Sequence, residues 1–368
     1  MIRIGLIILL LVFLMTLLFV YSPNKPFNSP GGVSENIALV IKRPAEKMKI
    51  EPLTLEKIFS EQKSFPDLDP KKIINVIATG DIIPARSVNF QTVQRNNYNW
   101  PFEKTADILK SADITFINLE TPLMKNCGLT QEGMKFCGSD KHIEGLKFAG
   151  VDIASLANNH SANYGKPGID ETKKLLEDNG ILVTGLDGLV FKEIKGVKFA
   201  FLGYSDIEKT PLVSTAEEEK IKAEVAEAKK NSDVIIVQFH WGAEYITPPE
   251  ERQKYLGRLA IDSGADLVIG NHPHWIKPIE LYNGKLITYG HGNFIFDQEW
   301  SQKTKEGVVG RYTFYLSEGK VSSAYEIDLI DAKYLPVEIV NYGQPYFLEG
   351  EKKQKILDEM YSESLKLR

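Results

Sequence analysis

The chain has 368 residues, of which 43% are hydrophobic and 25% charged, a balance that excludes a disordered or fibrous protein. Its length is sufficient for one large core or two ordinary ones. The net charge of -5 is spread without long blocks of one sign, so we expect no nucleic-acid partner.

The amino terminus departs from this average composition. After Arg3, residues 4–22 form an uncharged, apolar run that is long enough to span a bilayer. The run exceeds the usual signal-peptide core and lacks a small-residue cleavage site, which favours an uncleaved signal anchor over a removed signal peptide. We predict a single transmembrane helix at 1–22 and a domain on the outer side of the cell membrane.

The segment after this anchor, residues 23–70, is rich in Pro, Lys, Glu and Ser and has little periodicity. We interpret it as a flexible tether between the membrane and the folded part. The folded domain is predicted at 71–345, and a C-terminal helix at 346–368.

Both cysteines, Cys127 and Cys137, lie in the segment NCGLTQEGMKFC, whose glycines and polar residues indicate a loop. Outside the cytoplasm a disulfide could close this loop. Two buried free thiols are the alternative, which the lack of apolar periodicity in the segment disfavours.

Apolar runs alternate with amphipathic stretches through the folded part. Runs such as INVIAT, VDIASLA and DVIIVQF predict strands, whereas PGIDETKKLLEDNG and EEEKIKAEVAEAKKN predict helices. From Gly310 onward the predicted strands follow one another without helices, so we expect an antiparallel addition to the same domain. The alternation predicts an α/β fold.

Five of the predicted strands end in polar side chains, and the carboxyl ends of strands are where open α/β sheets bind ligands. Each group alone is more often an ordinary cap or a hydrogen-bonded loop residue, but five at one edge favour a binding site. Carboxylates, amides and imidazoles without thiolates suit Mn, Fe or Zn ions. The groups are Asp81, Glu120, Asn159 with His160, His240, and His272 with His274.

Two such ions, held about 3.5–4 Å apart and bridged by a carboxylate, can activate water for a displacement at phosphorus or at a carbonyl. His272 and His274 are two residues apart, so they would face neighbouring ions only if the segment bends. We expect such a bend.

Six segments resemble the successive motifs of CapA-type proteins of capsule or poly-gamma-glutamate synthesis, whose domain is similar to calcineurin-like metallophosphatases. The segments are ATGDIIPAR, INLETPL, SLANNHSANYG, QFHWGAEY, GNHPHWIKPIE and GNFIFDQ. Their unbroken order is more specific than any one of them. The resemblance implies an α/β fold of metallophosphatase type, a sandwich of two mixed β-sheets flanked by helices, behind an N-terminal transmembrane anchor.

The resemblance also implies two metal ions. Asp81 and His274 would bind the first ion, and Glu120 would bridge both. The ligands of the second ion would be Asn159, His240 and His272.

For the reaction itself, the resemblance implies that His160 is the general acid. Arg86 and Glu244 would be further catalytic or substrate-facing groups. The candidate substrate contacts are Asn293, His291 and Trp241.

The chain departs from the related patterns at three positions. Metallophosphatases have Asp-x-His at the first motif, but Ile83 stands at the histidine position, so the first ion lacks an imidazole. His291 replaces a residue that is usually apolar or small, and could substitute for that imidazole. Asn163 stands where the CapA group often has an aspartate.

The sequence therefore predicts a membrane-anchored component of capsule or poly-gamma-glutamate assembly. The first hypothesis is a metal-dependent hydrolase acting on a phosphoester or an amide of an anionic polymer, in contact with membrane synthase or export subunits. The alternative is a non-catalytic component that binds polymer or acts as a scaffold, which the incomplete first motif favours. The predicted anchor disfavours a soluble phosphoesterase.

Overall fold

A computed structural model of the chain describes residues 51–60, 68–186, 188–207, 210–318 and 325–367. Its strands are, in chain order, β1 (Ile73–Ile82), β2 (Ile114–Leu119), β3 (Leu123–Met124), β4 (Gly138–Ser139), β5 (Ile153–Ser155), β6 (Leu182–Thr184), β7 (Val190–Ile194), β8 (Val197–Ser205), β9 (Val234–His240), β10 (Leu267–Asn271), β11 (Ile279–Tyr282), β12 (Lys285–Thr288), β13 (Asn293–Ile295), β14 (Glu306–Glu318), β15 (Tyr325–Val340) and β16 (Gln344–Phe347).

The α-helices connect and cover these strands. They are α1 (Leu55–Phe59), α2 (Arg86–Arg95), α3 (Ala106–Lys110), α4 (His142–Phe148), α5 (Gly165–Asp178), α6 (Glu218–Asn231), α7 (Glu251–Ser263), α8 (Gln302–Lys305) and α9 (Gly350–Leu365). Two 3-10 turns, Pro70–Lys72 and Trp100–Phe102, complete the described helices.

The strands form two large mixed sheets, as predicted, and β3 pairs with β4 in a short third sheet. The first has the order β16-β15-β14-β1-β2-β5-β6, with β13 also paired to β1, and the second has the order β11-β12-β10-β9-β8-β7. In the first sheet, β1, β2, β5 and β6 are parallel, and β14 to β16 add antiparallel strands on one side. In the second sheet, the central strands are parallel and the edge strands β11 and β7 are antiparallel. Parallel strands that are covered on both faces need continuous apolar sequence, which the runs in β1, β2 and β9 supply.

Three hydrophobic layers hold this architecture together. Side chains from both sheets fill the layer between them, among them Val76, Phe116, Phe201 and Ile236. Helices α2 to α5 cover the outer face of the first sheet. Helices α6 and α7 cover the outer face of the second sheet. The result is a helix–sheet–sheet–helix sandwich.

The antiparallel addition predicted near the carboxyl terminus is present. Strands β14, β15 and β16 pair antiparallel with one another, and β14 pairs antiparallel with β1. The addition therefore extends the first sheet and starts slightly earlier than predicted, at Glu306.

Part of the segment interpreted as a tether belongs to the folded unit. In helix α1, Leu55 and Ile58 are buried in the layer between the sheets, and Phe59 stacks on Tyr334. The predicted anchor at 1–22 lies outside the described residues. Within them, no helix combines the length and the apolar character needed to cross a bilayer.

Candidate metal centre

The carboxyl ends of strands from both sheets meet at one edge of the sandwich. Asp81 near the end of β1 accepts hydrogen bonds from the side-chain amides of Asn118 at 2.8 Å and Asn271 at 2.9 Å. Asn118 belongs to the first sheet and Asn271 to the second. The buried carboxylate of Asp81 therefore joins the two sheets at the candidate site.

Within the described residues, three groups of side chains each have ligand atoms within 4.8 Å of one another. They are Asp81 with Glu120 and His274, Glu120 with His240 and His272, and Glu244 with His272 and His274. The first two groups share Glu120, which is the arrangement expected of a carboxylate that bridges two ions.

Glu120 follows β2 directly, and its side chain is completely buried. Neither carboxylate oxygen has a hydrogen-bond partner, and Oε1 lies 3.4 Å from Nε2 of His240. Burial raises the pKa of Glu120 well above its usual range, and the nearby charge of Asp81 adds to the effect. A buried carboxylate without a partner is costly, and a cation is the partner that would satisfy it.

His240 ends β9 and is also fully buried. Its Nε2 lies 2.8 Å from Oδ1 of Asn159, and its Nδ1 lies 3.3 Å from Nδ2 of Asn118. Burial lowers the pKa of His240 to about 3. The imidazole is therefore neutral at physiological pH, the form in which histidine binds metals.

His272 and His274 follow β10 in a bent segment, as the sequence predicted. Their φ angles are +93° and +55°, in a region that non-glycine residues rarely adopt. The Nδ1 atom of His272 is buried without a partner. Backbone strain of this kind persists where the surrounding structure holds it, commonly at functional sites.

The ring of His274 is held by two oxygen atoms. Its Nδ1 lies 2.8 Å from Oδ1 of Asn293 and 3.2 Å from Oδ2 of Asp81. Burial alone would lower its pKa, but the hydrogen bond to Asp81 and the charge of Glu120 raise it to about 9. The same pairing lowers the pKa of Asp81, although burial works in the opposite direction. The site thus favours positive charge.

These features fit divalent metal ions. The unpartnered atoms of Glu120 and His272 are buried at the point where the ligand groups overlap. Carboxylate and imidazole donors together suit ions such as Mn, Fe or Zn. The predicted ligands Asp81, Glu120, Asn159, His240, His272 and His274 lie together in this arrangement.

His160 lies beside this cluster. Its ring stacks on Phe136 with the centroids 4.0 Å apart, and its Nδ1 lies 3.0 Å from Oδ1 of Asn163. Because that oxygen also accepts from the backbone N–H of Phe136, the Nδ1 atom carries the hydrogen and Nε2 is left available. Burial lowers the pKa of His160 to about 4.

Arg86 packs on the rings of Phe136 and Phe296, which form an aromatic wall beside His160. Its guanidinium lies 4.8 Å from the ring centroid of Phe136 and 4.9 Å from that of Phe296. It is paired with Asp297 and donates to the carbonyl of Gly133. Arg86 is therefore a residue that holds the wall beside His160.

Two predicted substrate contacts are buried and have their polar atoms engaged by other groups. His291 is fully buried, and its ring nitrogens are engaged by the carbonyl of Gly270 at 3.2 Å and the hydroxyl of Tyr312 at 2.9 Å. Trp241 is also fully buried, stacks on Phe239 and donates to the carbonyl of Tyr289. His291 offers no free nitrogen to an ion, and Trp241 packs against the outer layer of the second sheet.

Sequence reasoning assigned no role to the residues that hold the ligands. Asn118 and Asn271 orient Asp81, and Asn158 donates to Oδ1 of Asn118 at 3.2 Å. Each is a polar residue at or next to the end of an apolar run, which is the signal that could have identified its role. Asn293, predicted as a substrate contact, instead fixes the ring of His274.

The fold and the site define an α/β sandwich with a candidate two-ion centre at the carboxyl ends of its strands. Residues 75–298 match the family described as bacterial capsule synthesis protein PGA_cap. The chain belongs to this family, and the CapA-type resemblance of its motifs is confirmed.

Relatives and one solved structure are similar over much of the chain. The PGA biosynthesis protein CapA of Bacillus subtilis (strain 168) is 30% identical over 284 residues, which cover 72% of this chain and 74% of that protein. The capsule biosynthesis protein CapA of Bacillus anthracis is 28% identical over 262 residues, or 65% of this chain and 63% of that protein. A crystal structure of a hypothetical protein from Thermus thermophilus covers 75% of this chain and 99% of its own, with 16% identity and a TM-score of 0.42.

Proposed function

We propose that this protein is a metal-dependent hydrolase of capsule or poly-gamma-glutamate biosynthesis, anchored in the cell membrane with its folded domain outside. Family membership supports the biosynthetic process. The names of the two Bacillus relatives refer to PGA and capsule biosynthesis, which supports an anionic polymer as the substrate. Membrane synthase or export subunits are the proposed partners.

The observation that carries the hydrolase proposal is the pair of unsatisfied ligands. Both oxygens of Glu120 and the Nδ1 atom of His272 are buried without partners, next to the rings of His240 and His274. A purely structural polar network would satisfy such atoms internally. Their arrangement supports the binding of cations at this edge.

Divalent ions held here would polarise a substrate oxygen and make water a stronger nucleophile near neutral pH. His160 is next to the proposed ligand Asn159. Its unprotonated Nε2 can first accept a proton, and the protonated ring can then deliver that proton to a leaving group. The aromatic wall formed by Phe136 keeps water from one face of His160. These features fit hydrolysis of a phosphoester or an amide.

A second function, binding of polymer or partner subunits without catalysis, is favoured by one observation. Ile83 stands at the position of the expected first-site histidine, and it is buried in a small apolar cluster with Phe136 and Phe296. If the first ion does not bind, the centre cannot use the two-ion mechanism of hydrolysis.

The test combines ion binding with hydrolysis in the full-length chain. Calorimetry with Mn²⁺ or Zn²⁺ should give two ions per chain, and Glu120→Gln should reduce binding at both sites. Hydrolysis is followed with bis(p-nitrophenyl) phosphate and with the p-nitroanilide of gamma-glutamate. Glu251→Gln, at a carboxylate whose side chain is 90% exposed, is the matched control.

Hydrolysis that disappears in Glu120→Gln and His240→Ala, but persists in Glu251→Gln, supports the hydrolase. Two bound ions without any hydrolysis, or hydrolysis that survives both substitutions, would exclude this assignment of the active site.

A further inference from the structure

The first ion of the proposed centre lacks one ligand. Asp81, Glu120 and His274 lie within reach of one ion. The position of the expected imidazole is occupied by Ile83, whose side chain is fully buried among apolar groups. The other nearby candidate, His291, has both ring nitrogens engaged.

Glu244 is the remaining carboxylate at this edge. It has a ligand atom within 4.8 Å of those of both His272 and His274. These two histidines belong to different ions in the proposed centre. A carboxylate has two oxygens, so one placed between the two rings can supply an oxygen to each ion.

Neighbouring residues fix the conformation of the loop that carries Glu244. Gly242 has a φ of +80°, and a Cβ atom at that position would come within 2.4 Å of the side chain of Gln253, so the sharp turn requires glycine. On one side of Glu244, the N–H of Ala243 donates to Glu250 at 2.7 Å. On the other side, the N–H of Tyr245 donates at 2.9 Å to the carbonyl of Pro273.

The hydrogen bond from Tyr245 to Pro273 fixes the position of Glu244, because Pro273 lies between His272 and His274. It ties the loop of Glu244 to the bent segment that carries both rings. Tyr245 has a positive φ of +62°, and His272 and His274 on either side of Pro273 also have positive φ angles. The hydrogen bond therefore lies among three residues with a strained backbone. A surface loop with a merely solvated carboxylate needs none of these constraints.

We infer that Glu244 is a metal ligand that joins the two ions from the solvent side, opposite the buried Glu120, and completes the first site in place of the missing imidazole. Glu244 is partly exposed, whereas Glu120 is fully buried. The inference rests on the metal centre of the proposed function and adds a second bridging carboxylate to it.

The test measures metal binding without relying on activity. The full-length chain and its Glu244→Gln variant are titrated with Mn²⁺ by calorimetry, and the loaded proteins are examined by electron paramagnetic resonance for coupling between paired Mn²⁺ ions. Glu244→Asp retains the charge on a shorter side chain, and Glu251→Gln is the control for loss of an exposed carboxylate nearby. Melting curves without metal establish that each variant is folded.

We expect Glu244→Gln to weaken the binding of at least one ion by about tenfold or more, which is the effect of losing even an indirect metal contact. The resonance signal from coupled Mn²⁺ ions should also weaken in Glu244→Gln. Glu244→Asp should recover part of the affinity. Two ions bound with unchanged affinity in Glu244→Gln would overturn this inference and leave the proposed function intact. A native chain that binds no ion would overturn both.

Discussion

The disulfide between Cys127 and Cys137 allows a stability prediction with a worked magnitude. The bond closes a loop with a sequence separation of 10, and it confirms the pairing expected from the sequence. Replacing both cysteines by serine removes the cross-link from the unfolded chain. The chain-entropy relation for a loop of this length gives a loss of about 2.7 kcal/mol, or about 4 °C in the melting midpoint of a folded unit of this size.

The loop also supports one wall of the candidate centre. Phe136, next to Cys137, stacks on His160 and lies under the guanidinium of Arg86. Its backbone N–H donates at 2.6 Å to the side chain of Asn163, which in turn holds the ring of His160. Strands β3 and β4 pair at the base of the loop, so they should keep its ends together after the cross-link is removed.

The assay is thermal unfolding of the native chain and the double Cys→Ser variant, each with and without a reductant. The reductant should lower the midpoint of the native chain only. A free-thiol assay on the unreduced, denatured chain should find no reactive thiol. Two reactive thiols, or a double variant as stable as the native chain, would refute the reasoning.

Three further predictions follow from the described contacts. Free Mn²⁺ at 100 times its dissociation constant should stabilise the fold by about 2.7 kcal/mol, and chelation should reverse this; an unchanged melting curve would argue against the centre. His142 is buried with its pKa lowered to about 3, so the unfolded chain takes up a proton below about pH 6.5 that the folded chain does not. The free energy of unfolding therefore falls by about 2 kcal/mol between pH 7 and pH 5. In the His142→Gln variant this fall should be correspondingly smaller, which denaturant titrations at the two pH values would measure. Asn163→Asp should raise the pKa of His160 by about one unit or more, because a carboxylate would then face Nδ1; an NMR titration of the ring that shows no change would contradict this.

The apolar runs predicted the α/β fold and most of the candidate ligands for one physical reason, whereas the two-sheet sandwich came from the resemblance of the motifs. Runs of apolar residues identify buried parallel strands, and polar residues directly after them must lie at the carboxyl edge. This reasoning applies to Asp81, Glu120 and His240, which lie at strand ends in the structure. It needs no knowledge of how the strands are ordered.

The same reasoning fails where the direction of a side chain matters more than its position at a strand end. Trp241 follows β9 next to His240, but successive side chains of an extended segment point to opposite sides, and Trp241 lies in the outer layer. His291 precedes a turn, and its contacts depend on Tyr312, which is distant in sequence. The hydrogen bond that fixes the loop of Glu244 to Pro273 likewise has no local sequence signal.

The two candidate ion sites differ in how well the protein satisfies their ligands. At the first site, Asp81 and His274 pair with each other and with the amides of Asn118 and Asn293. At the second site, His272 retains a buried Nδ1 atom without a partner, while the unpartnered oxygens of Glu120 face both sites. An ion at the second site gains contacts that nothing else supplies, whereas an ion at the first must replace an existing pair. The second site should therefore fill at lower ion concentration, and occupation of the first decides whether the centre can act as a two-ion hydrolase.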